Sequence, residues 1–503
     1  MSLSRNALTR WTGAAALATC LLLPALAHGA PVAAPVPVID TGSTTWLLVS
    51  AALVLLMLPG LALFYGGMVR AKNVLNTFLN VMVCTGVMAV IWVVIGYALV
   101  FPVVDVTVDG QPAVNALVTM GANEYPDPAD ATKTVSATVS LLGFDSHLMF
   151  LKALSTPAVV EDGVITANAG WNAVVTSGDT IGAMPTGVPE LAFVVFQGMF
   201  FILTPALIVG AVAERVRFGP LLLFLSIWSI VVYAPIAHMV WNVNGFLFQK
   251  GVLDFAGGTV VHVLAGVSGL ALCLVVGPRM GFGKTHMAPH NLGYTLIGAG
   301  LLWFGWFGFN AGSAIAVGGS EHPVAGGRAV LAFANTLVAP AAAALAWMFV
   351  EWIKDGKPTI LGFASGMIAG MVAITPCAGH VSPQASLIIG GLGGAVCYFG
   401  CQLKRVLKYD DTLDAFGLHG IGGALGALLV GWFAIVPLTG SFEQVMKQLT
   451  GVVIATVYAF GVSLILALII KATIGLRVKE SDEVEGLDIT LHGEAGYNLS
   501  TID

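Results

Sequence analysis

Between Trp46 and Ala472 the chain is an almost unbroken series of apolar runs, each about 20 residues long. A run of that length crosses the hydrocarbon core of a bilayer as a helix, because in lipid a helix satisfies all its own backbone polar groups. The strands of a membrane barrel instead alternate polar and apolar residues over about 10 positions, which excludes a barrel here. Of 503 residues, 57% are hydrophobic and 10% charged, against roughly 25% charged in soluble domains. The expected fold is an all-α polytopic membrane protein.

Eleven transmembrane helices are expected, at about 46–68, 75–101, 190–213, 219–239, 256–277, 291–313, 329–353, 359–378, 384–403, 413–435 and 449–474. Lys and Arg order them, since short cytoplasmic loops are the richer in both. Loops after odd-numbered spans hold Arg70, Lys72, Arg215, Arg217, Arg279, Lys284, Lys354, Lys357, Lys404, Arg405 and Lys408, and the tail adds Arg477 and Lys479. The other side holds only Lys133, Lys152, Lys250, Arg328 and Lys447. The N-terminus is therefore expected outside and the C-terminus inside a cytoplasmic membrane. Residues 1–30 carry Arg5 and Arg10, then the apolar "AAALATCLLLPALA" and small residues up to Ala30, the pattern of a cleaved signal peptide, with an uncleaved extra helix as the alternative. The remaining parts are a membrane domain over 40–474, with a long loop at 102–189, and a polar tail over 475–503.

Two spans contain titratable residues where lipid would penalise them by several kcal/mol, so they must face something polar. "LDFAGGTVVHVLAGVSG" in span 5 and "LDAFGLHGIGGALG" in span 10 both begin Leu-Asp, and both carry His followed by Gly four and seven residues on: His262, Gly266, Gly269 and His419, Gly423, Gly426. Span 5 runs inward and span 10 outward. Five helices repeated upside down, plus one extra helix, is the economical architecture, with both histidines facing the interface between repeats near the midplane. A neutral imidazole offers one donor and one acceptor nitrogen. Such a pair can bond a small polar solute or pass protons. Asp254 lies eight residues before His262, about 12 Å along a helix and too far for contact. It fits an N-cap of span 5 and a source of negative potential for a cation.

The sequence resembles the Amt/Mep/Rh ammonium transporters from about Asp40 to Asn498, through "PGLALFYGGMVRAKNVL", "FQGMFFILTPALIVGAVAERVRF", "PIAHMVWNVNG", "LDFAGGTVVH", "GWFGFNAGSA", "DAFGLHGIGG" and "EGLDITLHGEAGYN". The resemblance implies an outer site recruiting ammonium at Trp241, Ser313 and Phe200, and a gate of Phe200 and Phe309 with Phe196 one turn before Phe200. It implies a pore lined by Trp306 and the twin histidines His262 and His419, with Asp254 as a buried structural and electrostatic carboxylate. It further implies a homotrimer, with the tail packing across subunits and presenting a surface to a PII-type regulatory protein. No cofactor or metal is expected: Cys397 and Cys401 share a helix face, but no His or carboxylate is spaced to complete a site.

Aromatic faces attract a cation by about 0.5 to 2 kcal/mol, and a Ser hydroxyl accepts an N–H bond. That alone does not separate ammonium from potassium; losing a proton does. The 102–189 loop departs from the family by its length, its strand-like "VVDVTVDG" and "TVSATVSLLGF", and its acidity: Asp105, Asp109, Glu124, Asp127, Asp130, Asp145, Glu161, Asp162 and Asp179 against Lys133 and Lys152. It suits a cation-concentrating rim or a plain cap or subunit contact. Ammonium transport is the expected function, electrogenic or as passive ammonia conduction, with an ammonium sensor of little flux as the alternative. An enzyme is disfavoured, since no nucleophile with base and orienter, no nucleotide loop and no metal-ligand set is present, and no nucleic-acid partner is expected.

Overall fold

The computed structural model describes residues 40–497, apart from 103, 109–110, 128–129, 156–159, 162–163, 166–173, 177–184, 317–321 and 437–438. The signal-peptide segment, and the Gly/Asn/Thr-rich stretch near 166–180 apart from Val174–Thr176, lie outside the described residues. Among the described residues, ten helices are long and apolar enough to span a membrane: α1 (Thr41–Met68), α2 (Ala71–Val100), α3 (Glu190–Val212), α4 (Phe218–Trp241), α5 (Gly258–Val276), α6 (Leu292–Ala316), α7 (His322–Asp355), α9 (Pro383–Leu407), α10 (Phe416–Phe433) and α11 (Phe442–Thr473). The remaining expected span is the shorter α8 (Ile360–Ile374), about 22 Å long at 1.5 Å per residue. Its expected C-terminal end, Thr375 to Ala378, is a run of turns instead. The 15-residue α8 therefore stops short of a full crossing. Helix starts follow local chemistry: Asp40, Thr359, Ser382 and Ser441 each accept a bond from a backbone N–H three residues on, the N-cap arrangement.

The helices alternate between two faces. One carries the tail helices α12 (Glu480–Glu485) and α13 (Leu487–His492). The other carries two-stranded antiparallel hairpins from the long loop, among them β1 (Asp105–Val108) with β2 (Gln111–Val114) and β3 (Ala116–Asp127) with β4 (Asp130–Gly143). The two strand-like sequence segments thus contribute to β1 and β4. Among the loop acids, Asp105, Asp109, Asp127, Asp130, Glu161, Asp162 and Asp179 have side chains outside the described set.

The two five-helix sets, α1–α5 and α6–α10, meet face to face, α1 against α6 and α5 against α10, while α11 lies along both α5 and α10. Both seams depend on glycine. A Cβ on Gly266 of α5 would stand 2.1 Å from the Gly420 nitrogen of α10, and one on Gly298 of α6 would stand 2.3 Å from the Phe64 nitrogen of α1. Small residues allow helices this approach. The repeat extends to detail: α5 opens with a wide π turn at Gly258–Val263 that contains His262, and α10 with one at Phe416–Gly420 that contains His419. The equivalent carboxylates are Asp254 and Asp411, each eight residues before its histidine. Asp411 accepts bonds from the Ala415 and Phe416 nitrogens at 3.0 and 2.7 Å. The Leu-Asp match at Leu413–Asp414 is therefore out of register; Asp414 pairs with Lys404 at 2.7 Å.

On the tail face the basic loop residues meet buried acids. Glu214 takes ion pairs from Arg70 at 2.9 Å and Arg279 at 3.0 Å, and Asp410 binds Arg279 at 2.8 Å. The tail folds back onto this junction through Glu483, which accepts from the Met280 nitrogen at 2.6 Å and also holds Arg477 at 2.8 Å, and through Asp488, which accepts from the Leu75 and Asn76 nitrogens. It is thus a docked element rather than a free solvated one. Burial alone raises Glu214, but Arg279 and Arg70 outweigh it and hold the carboxyl below its usual value. A lowered folded value stabilises wherever the carboxylate is ionised, and that stability is lost as pH falls from about 4 through the lower folded value. Thermal melting in detergent should therefore be flat from neutral pH to about 5 and drop below about 4. Glu214→Gln should start roughly 3 kcal/mol less stable at neutral pH and show a shallower acid loss.

Candidate functional site

A continuous file of rings leads from the hairpin face into the crossing of the two repeats. Trp241, at the end of α4, is half-buried. Its ring meets Phe200 of α3 edge-on, with centroids 5.7 Å apart and planes at 79°. Phe200 lies against Phe309 of α6 at 4.4 Å and against Phe196 at 5.1 Å. Phe309 leads on to Trp306 at 5.3 Å and to His262 at 6.1 Å. Trp306 stacks on His262 at 5.3 Å and 20°, and His262 stacks on His419 at 5.3 Å and 22°. Beyond Trp241 every member of the file is buried. The Phe200–Phe309 contact lies across the file between Trp241 and the histidines.

The histidine pair has defined chemistry. The two Nδ1 atoms are 3.2 Å apart, so one donates and the other accepts. The His262 Nε2 is buried without a partner among the described residues, leaving it available to a solute. In a neutral pair the ring that donates through Nδ1 presents a bare Nε2, and the ring that accepts presents an Nε2–H. The pair therefore offers one acceptor and one donor outward; uptake of a proton at the bare Nε2, transfer of the shared proton and loss of the other Nε2–H together swap them. The Trp306 indole N–H is taken up by the Thr375 hydroxyl at 2.8 Å, which leaves its face to the file. The glycine seam places these rings: a Cβ at Gly423 would lie 2.8 Å from the His262 Cβ.

Asp254 does not touch the histidines. Its carboxylate accepts from the Gly257, Thr259 and Val260 nitrogens at 3.2, 2.9 and 3.0 Å, capping α5, while its carbonyl accepts the Trp241 indole N–H at 2.9 Å. Ser313 stands one turn beyond Phe309 on α6 and donates to the Phe309 carbonyl at 2.9 Å, so its oxygen lone pairs are left to accept. All nine sequence-predicted site residues thus belong to one file or its rim.

Two supports went unrecognised in the sequence. Gln448 of α11 grips both polar groups of Leu253, accepting from its nitrogen at 2.7 Å and donating to its carbonyl at 2.6 Å, and also reaches the Ala427 carbonyl of α10 at 3.0 Å. Gln444 donates to the Gly251 carbonyl at 2.7 Å. The eleventh helix thereby fixes the loop carrying Asp254 relative to the helix carrying His419. The available signal was Gln444 and Gln448, four residues apart on one helix face just before the expected eleventh span. Asp411 is the second, and its spacing to His419 was the signal.

The sequence pattern of the Ammonium Transporter Family matches residues 45–120 and 136–497. The chain belongs to that family. The ammonium transporter of Bacillus subtilis (strain 168) is 40% identical over 470 residues, covering 91% of this chain and 99% of that one. The crystal structure of Saccharomyces cerevisiae Mep2 superposes with a TM-score of 0.69 at 30% identity, covering 92% of each chain. A structure described as a Sensor Amt Protein superposes equally well, with a TM-score of 0.69 at 25% identity, over 90% of this chain and 98% of that one. This ammonium transporter family member is thus matched along both repeats and the tail, while residues 121–135, in the distal half of the β3–β4 hairpin, fall outside the family pattern.

Replacing Gln448 by Leu strands both Leu253 backbone groups in a dry environment. The expected loss is about 2 kcal/mol, read as a lowered melting temperature in detergent, with Gln444→Leu costing less because it strands one carbonyl.

Proposed function

We propose that this protein carries ammonium across a cytoplasmic membrane, with the hairpin face outside and the tail face inside. The observation that supports it most is the dry ring file ending in the His262–His419 pair, whose partnerless Nε2 is presented to whatever passes the gate. Ammonium is gathered at Trp241, Phe200 and Ser313, where ring faces attract the cation and the serine oxygen accepts an N–H. It cannot continue as an ion: desolvating an isolated charge costs on the order of tens of kcal/mol, while a neutral polar molecule costs a few. Ammonia therefore passes Phe196 and the Phe200–Phe309 gate and moves along Trp306 to the histidines, bonding to them in turn. The released proton either returns outside, giving neutral conduction, or crosses separately by uptake at the bare Nε2 of one ring, transfer of the shared proton and release from the Nε2 of the other, giving a current. Potassium, which has no proton to lose, stops at the rim.

The family resemblance also suggests a homotrimer and a PII-type protein docking at the tail face, where α12 and α13 lie over the ionic junction. A sensing role with little flux is the second reading, favoured by the equal structural likeness to the Sensor Amt Protein.

Purified protein in liposomes, pulsed with ammonium and then potassium, tests the transport reading. Wild type should respond to ammonium, by current or by a lumen pH change, and be silent to potassium. His262→Ala/His419→Ala should lower the preference for ammonium at least about tenfold, equivalent to ~1.4 kcal/mol. Preference retained in the double variant would place the filter elsewhere. Wild-type vesicles silent in both readouts would leave the sensing role.

A further inference from the structure

The β3–β4 hairpin grips the last turn of α4 at the residues around Trp241. Ser140 of β4 is completely buried. Its hydroxyl lies 2.7 Å from the His238 Nε2, and its backbone N–H donates to the Asn244 carbonyl at 2.7 Å. Asn244 returns the contact, donating from Nδ2 to the Thr138 carbonyl at 2.9 Å. His238 and Asn244 thus bracket Trp241, three residues on either side.

The bond directions at His238 are fixed by its partners. Its Nδ1 faces the Val100 carbonyl at 2.9 Å, which can only accept, so Nδ1 carries the proton and the neutral ring leaves Nε2 bare. The Ser140 hydroxyl is the donor placed to meet it. At the same level the end of β4 is pressed onto this ring: a Cβ on Gly143 would stand 2.9 Å from the His238 Cε1. Trp241 itself is half-buried, so tight packing does not immobilise it. Its position is set by its indole bond to the Asp254 carbonyl and by the backbone turn that the hairpin holds.

We propose that the β3–β4 hairpin is a positioning element for the outer ammonium site, acting on Trp241 through Ser140. This rests on the reading of Trp241 as a recruitment residue. It assigns the insertion a role through hydrogen bonds in its base, distinct from any concentration of cations by its acidic residues. Because residues 121–135 lie outside the family pattern, the distal part of the device is a feature of this chain.

The test is the ammonium dependence of transport by the purified full chain in liposomes, read as current and lumen pH, with the melting temperature of each variant recorded on the same sample. Ser140→Ala should raise the half-saturating ammonium concentration about fivefold, the effect of one lost hydrogen bond, with the maximal rate kept within about twofold. Ser140→Cys, which retains a weak donor, should recover part of the loss. Glu124→Gln should change neither quantity. Trp241→Leu should raise half-saturation at least as far, and adding Ser140→Ala to it should raise it no further, the signature of residues acting as one unit. An unchanged half-saturation in Ser140→Ala beside a raised one in Trp241→Leu overturns the positioning role alone. So do fully additive effects, a Glu124→Gln effect as large as that of Ser140→Ala, or a fall in maximal rate and melting temperature without a shift in half-saturation. An unchanged half-saturation in Trp241→Leu instead overturns the recruitment reading on which the proposal stands.

Discussion

Two imidazoles held in contact inside an apolar helical bundle impose conditions on everything around them. The helices that bear them must approach closely enough for ring contact, which the glycine seam between α5 and α10 permits. Each helix must also begin deep in the protein, and its first N–H groups then need acceptors that water cannot supply. Asp254 and Asp411 supply them, and the wide turns at both helix starts aim His262 and His419 toward each other. The inverted arrangement meets the same local requirement twice, once on each face.

The same constraint explains the outer works. On the proposed route the file beyond Phe200 is buried, so an entering cation must first be held where water still reaches, and Trp241 is the half-buried ring of that file. Its indole N–H is bonded to the carbonyl of the residue whose carboxylate caps α5. The loop between them is clamped by Gln444 and Gln448. The rim and the pore are therefore one mechanical unit, with the eleventh helix as its brace and the hairpin as its outer wall.

Much of this could be read from the sequence, for reasons that differ by element. Hydropathy alone located the helices, since bilayer thickness dictates their length. The histidines were conspicuous because titratable groups are costly in apolar surroundings. Phe200, Phe309 and Trp306 were chemically indistinguishable from packing residues, and only the family resemblance singled them out. Asp411 was hidden behind a nearer Leu-Asp pair, because a two-residue match competes poorly with the eight-residue spacing that helix capping sets. Gln448 shared a helix face with Gln444 but with no partner in view, and Ser140 could not be recognised at all. Each acts across a distance in sequence that no periodicity reports, and each looks alone like a tolerated polar residue. The Arg279–Glu214 and Arg279–Asp410 pairs were invisible for the same reason, although the positive bias of their loops was plain.

On the proposed route the substrate sheds a proton before it reaches the histidines. The most direct measurement is the ammonium-evoked response of wild-type vesicles, at saturating substrate, in light and in heavy water. Deuterated ammonium gives up its deuteron more slowly, so the account predicts a clearly slower maximal response in heavy water, beyond the small slowing that solvent viscosity imposes. An identical maximal rate after correction for viscosity would mean that no N–H bond breaks on the limiting path, and would contradict it.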